Sequence, residues 1–426
     1  MYLTHPIKVL RAFSKCSHIG VNSYFMDEGK ITMGIIMCPG FKAAGIAAGL
    51  KKKNKKDLGL IFSRVPANVA GVFTRNRVKA APVILDRERI KSGACQAIIV
   101  NSGNANCCTG EQGIRDAETM ASLSASELGI SEDLVLVAST GVIGEPLPIE
   151  KIKTAIPDLV GALQPEGIPD LAESIMTTDT VPKIVSSHGV VEGKSFIVTG
   201  VAKGAGMIRP DLATMLCFVF TNANATPDVL KEVLVSTIDQ SFNRITIDGD
   251  TSTNDTVLIM ANGLSGAVIE TAGDKAIFQE VIDRIFLDLA KQLVRDGEGV
   301  TKLVEIIVQG ASSDSDARKV ADTVAHSPLV KTAFFGEDAN WGRIIGAVGR
   351  AGVDVDPDRI DLFFNDIQMV KAGMGCGKAV EVEATKVLKK SEFTVVVDLN
   401  MGQGVGSMIS CDFSVDYVKI NADYRS

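Results

Sequence analysis

From about Ile31 onward the chain alternates short, continuous apolar runs with segments whose apolar residues recur at helical spacing, and that alternation confines it to an architecture of helices layered on sheets. Gln96-Ala97-Ile98-Ile99-Val100 and Leu134-Val135-Leu136-Val137-Ala138 read as buried strands. Between them Ile114, Ala117, Met120, Ala121, Ala125 and Leu128 form one helical face that stops at Gly129. The second half repeats the pattern. Helices are predicted over roughly 227–242 and 274–295, the first opened by the Thr226-Pro227 cap. Strands are predicted at Val257–Met260, Leu303–Val308, Phe393–Val397 and Ser407–Cys411. No repeat of 20–50 residues interrupts the series, so the expected fold class is α/β.

Composition excludes several functions. A net charge of −7 over 426 residues does not suit a nucleic-acid surface, and the basic run Lys51–Lys56 reads as a solvated turn. No apolar run reaches the roughly 20 residues of a membrane helix, so a soluble protein is expected, and the scattered cysteines point to a reducing, cytoplasm-like compartment. The eight cysteines show no Cys-x-x-Cys and no histidine partner, so neither a zinc site nor a disulfide framework is expected. Residues 1–30 are expected to be a poorly ordered extension. Lys8, Arg11 and Lys15 without acids give it a faint transit-peptide character, though an extended start fits equally and no import is expected.

The four histidines leave little for a histidine-based triad. His5 and His18 lie in the N-terminal tail, His188 reads as a solvated turn, and His326 closes a helix before Pro328. The glycine clusters fail as nucleotide motifs. Gly373–Lys378 lacks the first P-loop glycine and the hydroxyl after lysine, and Gly402–Gly406 leads into a strand pattern. Asp248–Asp255 lacks the glycine and the terminal acid of a calcium loop and reads as a polar loop lining a site.

An alternative nucleophile stands in Lys203-Gly204-Ala205-Gly206-Met207-Ile208-Arg209-Pro210-Asp211-Leu212-Ala213-Thr214-Met215-Leu216. Cleavage of the Ala213-Thr214 bond would make Thr214 an N-terminal residue whose own α-amine, of reference pKa about 7.7–8.0, serves as the base its hydroxyl needs. Thr214 also opens the apolar run Met215–Phe220, and a buried strand is a rigid mount for a reacting group. Ser139-Thr140-Gly141 follows a strand, where a hydroxyl beside an approachable glycine amide suits an oxyanion or makes an ordinary turn. Lys203 is read either as a clamp for a substrate carboxylate or as a solvated strand end. Glu298 is read either as the receiver of a substrate ammonium or as part of a helix-ending loop.

Several segments together resemble the glutamate N-acetyltransferases of arginine biosynthesis, also called ornithine acetyltransferases. They are Pro39–Gly45, Asn101–Asn106, Met176–Thr180, Lys203–Leu216, Asp250–Thr256, Gly336–Arg343 and Asn421–Ser426. The resemblance runs over nearly everything after the first 30 residues. It implies a self-cleaving α/β fold of layered sheets covered by helices, an α chain of 31–213 after the N-terminal extension, and a β chain of 214–426. Two copies of each chain are expected to assemble.

By position, the resemblance makes Thr214 the nucleophile, Thr140 and Gly141 the oxyanion site, and Thr177, Lys203, Thr214, Glu298, Asn421 and Ser426 the substrate contacts. It implies acetyl transfer from N-acetylornithine to glutamate by a ping-pong route through acetyl-Thr214, with acetyl-CoA as a possible second donor and no metal or cofactor. Asp211-Leu212 stands where Asn-Met is common, and Ser426 where threonine is frequent. An N-terminal-nucleophile aminopeptidase or amidase is the alternative, sharing the acyl-enzyme but passing the acyl group to water.

Overall fold

The computed structural model describes residues 22–23, 37–209 and 215–423. The Ala213-Thr214 junction, the terminal Ser426 and most of the N-terminal extension lie outside the described residues. The first part of the described chain holds β1 (Asn22–Ser23), β2 (Phe41–Ile46), β3 (Leu58–Phe73), α1 (Ala81–Arg89), β4 (Ala94–Asn104), α2 (Gly110–Leu128) and β5 (Val135–Val142). Next come α3 (Ile149–Gly161), α4 (Ile168–Ile175), β6 (Lys183–Val191), β7 (Lys194–Lys203), β8 (Leu216–Thr221), α5 (Pro227–Gln240), β9 (Thr256–Ala261) and α6 (Ala272–Arg295). The remainder holds β10 (Leu303–Ala311), α7 (Asp314–Ala325), α8 (Pro328–Phe335), α9 (Trp341–Gly349), β11 (Asp361–Phe364), β12 (Ile367–Lys371) and β13 (Met374–Gly375). It closes with α10 (Lys378–Leu388), β14 (Glu392–Asp398), β15 (Gly404–Cys411) and α11 (Val415–Ala422).

Two sheets result among the described residues. The larger runs β1-β6-β7-β8-β9-β3-β4-β5 with β2 beside β3, and the smaller runs β13-β12-β11-β14-β10-β15. β3 organises the larger one. Its first half pairs with β2 and β4, its second half pairs with β9, and its register against β4 slips between Phe62 and Ala67. Pro66 sits in that slip, where a residue without an amide hydrogen does not break a ladder.

The slip divides the sheet into two facing layers. Side chains of β2, β4 and β5, such as Phe41, Ile98 and Leu136, share a core with Leu216, Phe218 and Phe220 of β8, and the Phe41 and Phe220 rings lie 5.1 Å apart. The alternate residues Cys217 and Val219 point the other way, into a core with Phe286 and Leu289 of α6 and Leu230 of α5. All six residues of β8 are buried, which explains a continuous apolar run in place of alternation. Behind the other layer, Met120 and Ala121 of α2 and Ile152 and Ile156 of α3 cover Leu60 and Ile99. The order is therefore helix, sheet, sheet, helix, with a separate core around the smaller sheet. Among the described residues no helix is long and apolar enough to cross a membrane.

Local signals place the helices. α2 ends at Gly129, whose φ of 69° needs no Cβ accommodation, and the Thr226 side chain caps α5 by accepting from the Val229 amide. Two expectations are corrected. His188 is half-buried within β6, opposite Ile197 of β7, because the hairpin ladder carries the Ser-Ser-His-Gly stretch through as strand. The basic run is also not wholly solvated. Lys51 Nζ turns inward to the Met176 carbonyl at 2.6 Å, and Lys56 pairs with Asp170 at 2.7 Å and Glu173 at 2.8 Å.

Candidate active site

Thr140 and Gly141 lie near the end of β5, parallel to and in register with Ser102 and Gly103 of β4. Gly141 has φ +135°, and a Cβ there would lie 2.3 Å from the Gly103 carbonyl carbon, so this approach of the two strands admits only glycine. The polar residues of Asn101–Asn106 and Asp250–Thr256 hold the turn. Asn254 Nδ2 donates to the Ser139 and Ala105 carbonyls, both at 2.7 Å, and the Ser139 hydroxyl donates to Asn101 Oδ1 at 2.6 Å.

Lys203 ends β7 directly opposite Leu216, the first residue of β8. It is 3% exposed, which removes the solvated reading. Its Nζ donates to Thr140 Oγ1 at 3.2 Å. An ammonium offers only hydrogens, so the Thr140 oxygen accepts and its own hydrogen remains free for a further acceptor. Burial pushes the Lys203 ammonium down from its ordinary pKa; Asp179 opposes that, Lys183 adds to it, and Asp255 and Glu298 oppose it.

Glu298 follows α6 and is nearly buried. Its amide donates to the Ala205 carbonyl at 2.8 Å, and its carboxylate accepts from Asn421 Nδ2 of α11 at 2.7 Å. Gly206 leaves room for that carboxylate, since a Cβ there would lie 2.7 Å from Glu298 Cδ. Glu298 therefore stands in a helix-ending loop, with its amide bonded to the Ala205 carbonyl and its carboxylate oriented by the single Asn421 donor.

Thr140, Gly141, Thr177, Lys203, Glu298 and Asn421 all line one cavity of about 120 Å³. Ser252 and Asn254 line it too, as expected of a polar loop at a site. The arrangement offers an ammonium and a carboxylate to a small zwitterion, with a hydroxyl hydrogen between β5 and β7. A larger open groove of about 630 Å³ between the end of β3, α1 and α5 contains none of the predicted residues. Thr214 and Ser426 lie outside the described residues, which resume at Met215.

Three further ionisable residues shape this region without having been singled out in the sequence. Asp179, Lys183 and Asp255 are buried. Asp255 receives the Met215 amide at 3.1 Å and its Oδ2 has no hydrogen-bond partner among the described residues; burial holds its carboxyl well above the usual carboxylate range. Asp179 stands inside the Met176–Thr180 segment and Asp255 inside Asp250–Thr256, so their segments were visible although their partners were not. Lys51 braces the same region from outside, its pKa pushed down to about 8 chiefly by burial.

The sequence profile of the ArgJ family matches residues 42–426. The arginine biosynthesis bifunctional protein ArgJ of Geobacter sulfurreducens is 53% identical over 389 residues, covering 91% of this chain and 99% of its own length. Its namesake from Syntrophotalea carbinolica is 51% identical over 389 residues, with 91% and 99% covered. Among solved structures, the arginine biosynthesis bifunctional protein argJ of Bacillus halodurans is 43% identical, covers 47% of this chain and 95% of its own, and has a TM-score of 0.45.

Proposed function

The chain belongs to the ArgJ family, and from that premise we propose the route by which it moves acetyl from N-acetylornithine to glutamate in arginine biosynthesis. Maturation comes first. Thr214 Oγ attacks the Ala213 carbonyl, the acyl group shifts from nitrogen to oxygen, and water hydrolyses the ester to leave an α chain ending at Ala213 and a β chain beginning at Thr214. Two copies of each chain assemble in the cytoplasm.

In turnover, Thr214 Oγ attacks the acetyl carbonyl while the Thr214 α-amine takes its proton. The developing oxyanion receives the Thr140 hydroxyl hydrogen and the Gly141 amide. Lys203 and Thr177 hold the substrate carboxylate, while Glu298, oriented by Asn421, takes the ornithine ammonium; the terminal Ser426 completes the pocket. The C–N bond of acetylornithine breaks, the proton returns to the leaving amine, and ornithine departs. Glutamate then enters, its amine attacks the acetyl ester, and N-acetylglutamate leaves with Thr214 Oγ reprotonated. Acetyl-CoA serves as a second acetyl donor to the same hydroxyl.

The observation that carries this reading is the Lys203 Nζ to Thr140 Oγ1 hydrogen bond, 3.2 Å long, within a cavity that also holds Glu298. It leaves the Thr140 hydrogen available to an oxyanion beside a cation and an anion suited to an amino acid. The test is transfer from N-acetylornithine to labelled glutamate without acetyl-CoA, set against acetate release. Acetylglutamate in excess supports a transferase, whereas acetate in excess would favour an amidase.

A further inference from the structure

Between the cavity and the protein body lies a buried chain of charges. Lys183 Nζ stands 2.7 Å from Asp179 Oδ1 and 2.6 Å from Asp296 Oδ2, and the Lys183 side chain has 0% exposure. Asp179 Oδ1 also accepts the Gly204 amide at 2.7 Å, and its Oδ2 accepts the Thr177 amide at 2.9 Å. One carboxylate thus touches the segments that supply Thr177 and Lys203 to the cavity. Asp296 continues the chain, accepting the Thr180 amide at 3.0 Å two residues before Glu298.

Lys203 has no carboxylate within ion-pair distance among the described residues; its Nζ donates to the neutral Thr140 hydroxyl. A buried ammonium in that position sheds its proton unless nearby negative charge compensates. The charged groups around it are Asp179, Asp255 and Glu298 on one side of the balance, with Lys183 and Lys51 on the other. Burial drives Asp255 toward its neutral form, and Glu298, on the function proposed above, is answered by the substrate ammonium. Asp179 differs. Burial works against its ionisation, but Lys183, Lys203 and the Thr177 amide hold its carboxyl well below the usual carboxylate range.

We propose that Asp179 is a positioning residue of the acetyl-transfer site, whose carboxylate keeps the Lys203 ammonium charged and fixes the Thr177 and Gly204 amides on either side of it. The proposal rests on Lys203 acting in the acetyl transfer described above. Lys183 and Asp296 anchor Asp179 and tie its position to the loop bearing Glu298, so the cationic and anionic ends of the cavity share one support.

The test compares the wild-type enzyme with Asp179→Asn by competitive acetic-anhydride labelling across pH, reading Lys203 against exposed Lys91 by mass spectrometry, alongside the pH dependence of kcat/KM. Wild-type Lys203 is expected to label slowly at pH 7 and faster in alkali. In Asp179→Asn, labelling at pH 7 rises about tenfold or more, and the alkaline limb of kcat/KM moves to lower pH. Unchanged labelling with a uniform loss of activity at every pH would overturn the proposal. If Asp179→Asn does not fold, Asp179→Glu decides instead: a carboxylate displaced from Lys203 should move the pH midpoint of Lys203 labelling and the alkaline limb of kcat/KM, and an unmoved midpoint would overturn the proposal. Absence of acetyl transfer in the wild type would instead contradict the site's function, while an active enzyme with an unmoved Lys203 contradicts only the role of Asp179.

Discussion

Replacing Gly141 with alanine should damage stability and catalysis together. The added Cβ would lie 2.3 Å from the Gly103 carbonyl carbon, 2.5 Å from the Asn104 nitrogen and 2.7 Å from the Gly103 oxygen. These are backbone atoms in a parallel ladder, so no flexible side chain can move aside. The φ of +135° adds strain for any L side chain, about 1–3 kcal/mol, and overpacking adds about 1–3 kcal/mol. The expected loss is roughly 2–6 kcal/mol against a typical total of 5–15 kcal/mol. Relief requires β5 to move from β4, which displaces the Gly141 amide and the Thr140 hydroxyl; losing one oxyanion donor costs about 10²–10³ in kcat. Urea unfolding measures the first quantity, and acetyl transfer per cleaved chain measures the second. Gly346→Ala is the control, because nothing lies within 4 Å of a Cβ there, inside α9; a gain of about 0.5–1 kcal/mol is expected. Gly141→Ala with wild-type stability and turnover would refute the reasoning.

Thr140→Val preserves shape but removes the hydroxyl that accepts from Lys203; kcat should fall about 10²–10³-fold with little change in KM, as steady-state kinetics would show. Glu298→Gln retains an acceptor for Asn421 but loses the charge, so KM for N-acetylornithine should rise roughly 10–100-fold, and an unchanged KM would exclude an ammonium contact. Lys183→Met leaves Asp179 and Asp296 buried without their shared cation; the expected cost is about 3–5 kcal/mol in urea unfolding. Because the folded Asp179 carboxyl is held below its unfolded value, its contribution is complete above the unfolded pKa of about 3.9 and is lost as pH falls through the folded value. Asp179→Asn should therefore flatten the pH dependence of unfolding in that acidic window.

Elements whose signals are local were readable in the chain. The Thr226 cap and the Gly129 stop mark helix ends through φ and one side-chain hydrogen bond, and β8 follows from its unbroken apolar run. Six residues that the family resemblance implies for the site line one cavity. What was illegible depends on distant pairing. The slip in β3 at Phe62–Ala67 that makes two layers of one sheet comes from pairing with β4 and β9, and His188 becomes strand because β7 folds back on it. Asp179 looks like an ordinary motif residue until Lys183 brings in Asp296, 113 residues from that lysine. Asp255 gains its character from burial beside Met215, which no spacing encodes.

In the proposed route Thr214, the residue before Met215 in the sequence, is freed by the protein itself and then carries the acetyl group. Intact-mass and N-terminal analysis of purified protein, after brief exposure to N-acetylornithine without glutamate, tests it most directly. Two fragments are expected, the second reading Thr-Met-Leu-Cys and bearing one acetyl ester that glutamate removes. The Thr214→Ala protein should remain one uncut, unacetylated chain. Cleavage of that variant at the same bond, or acetylation mapped to a residue other than Thr214, would rule out Thr214 as the nucleophile.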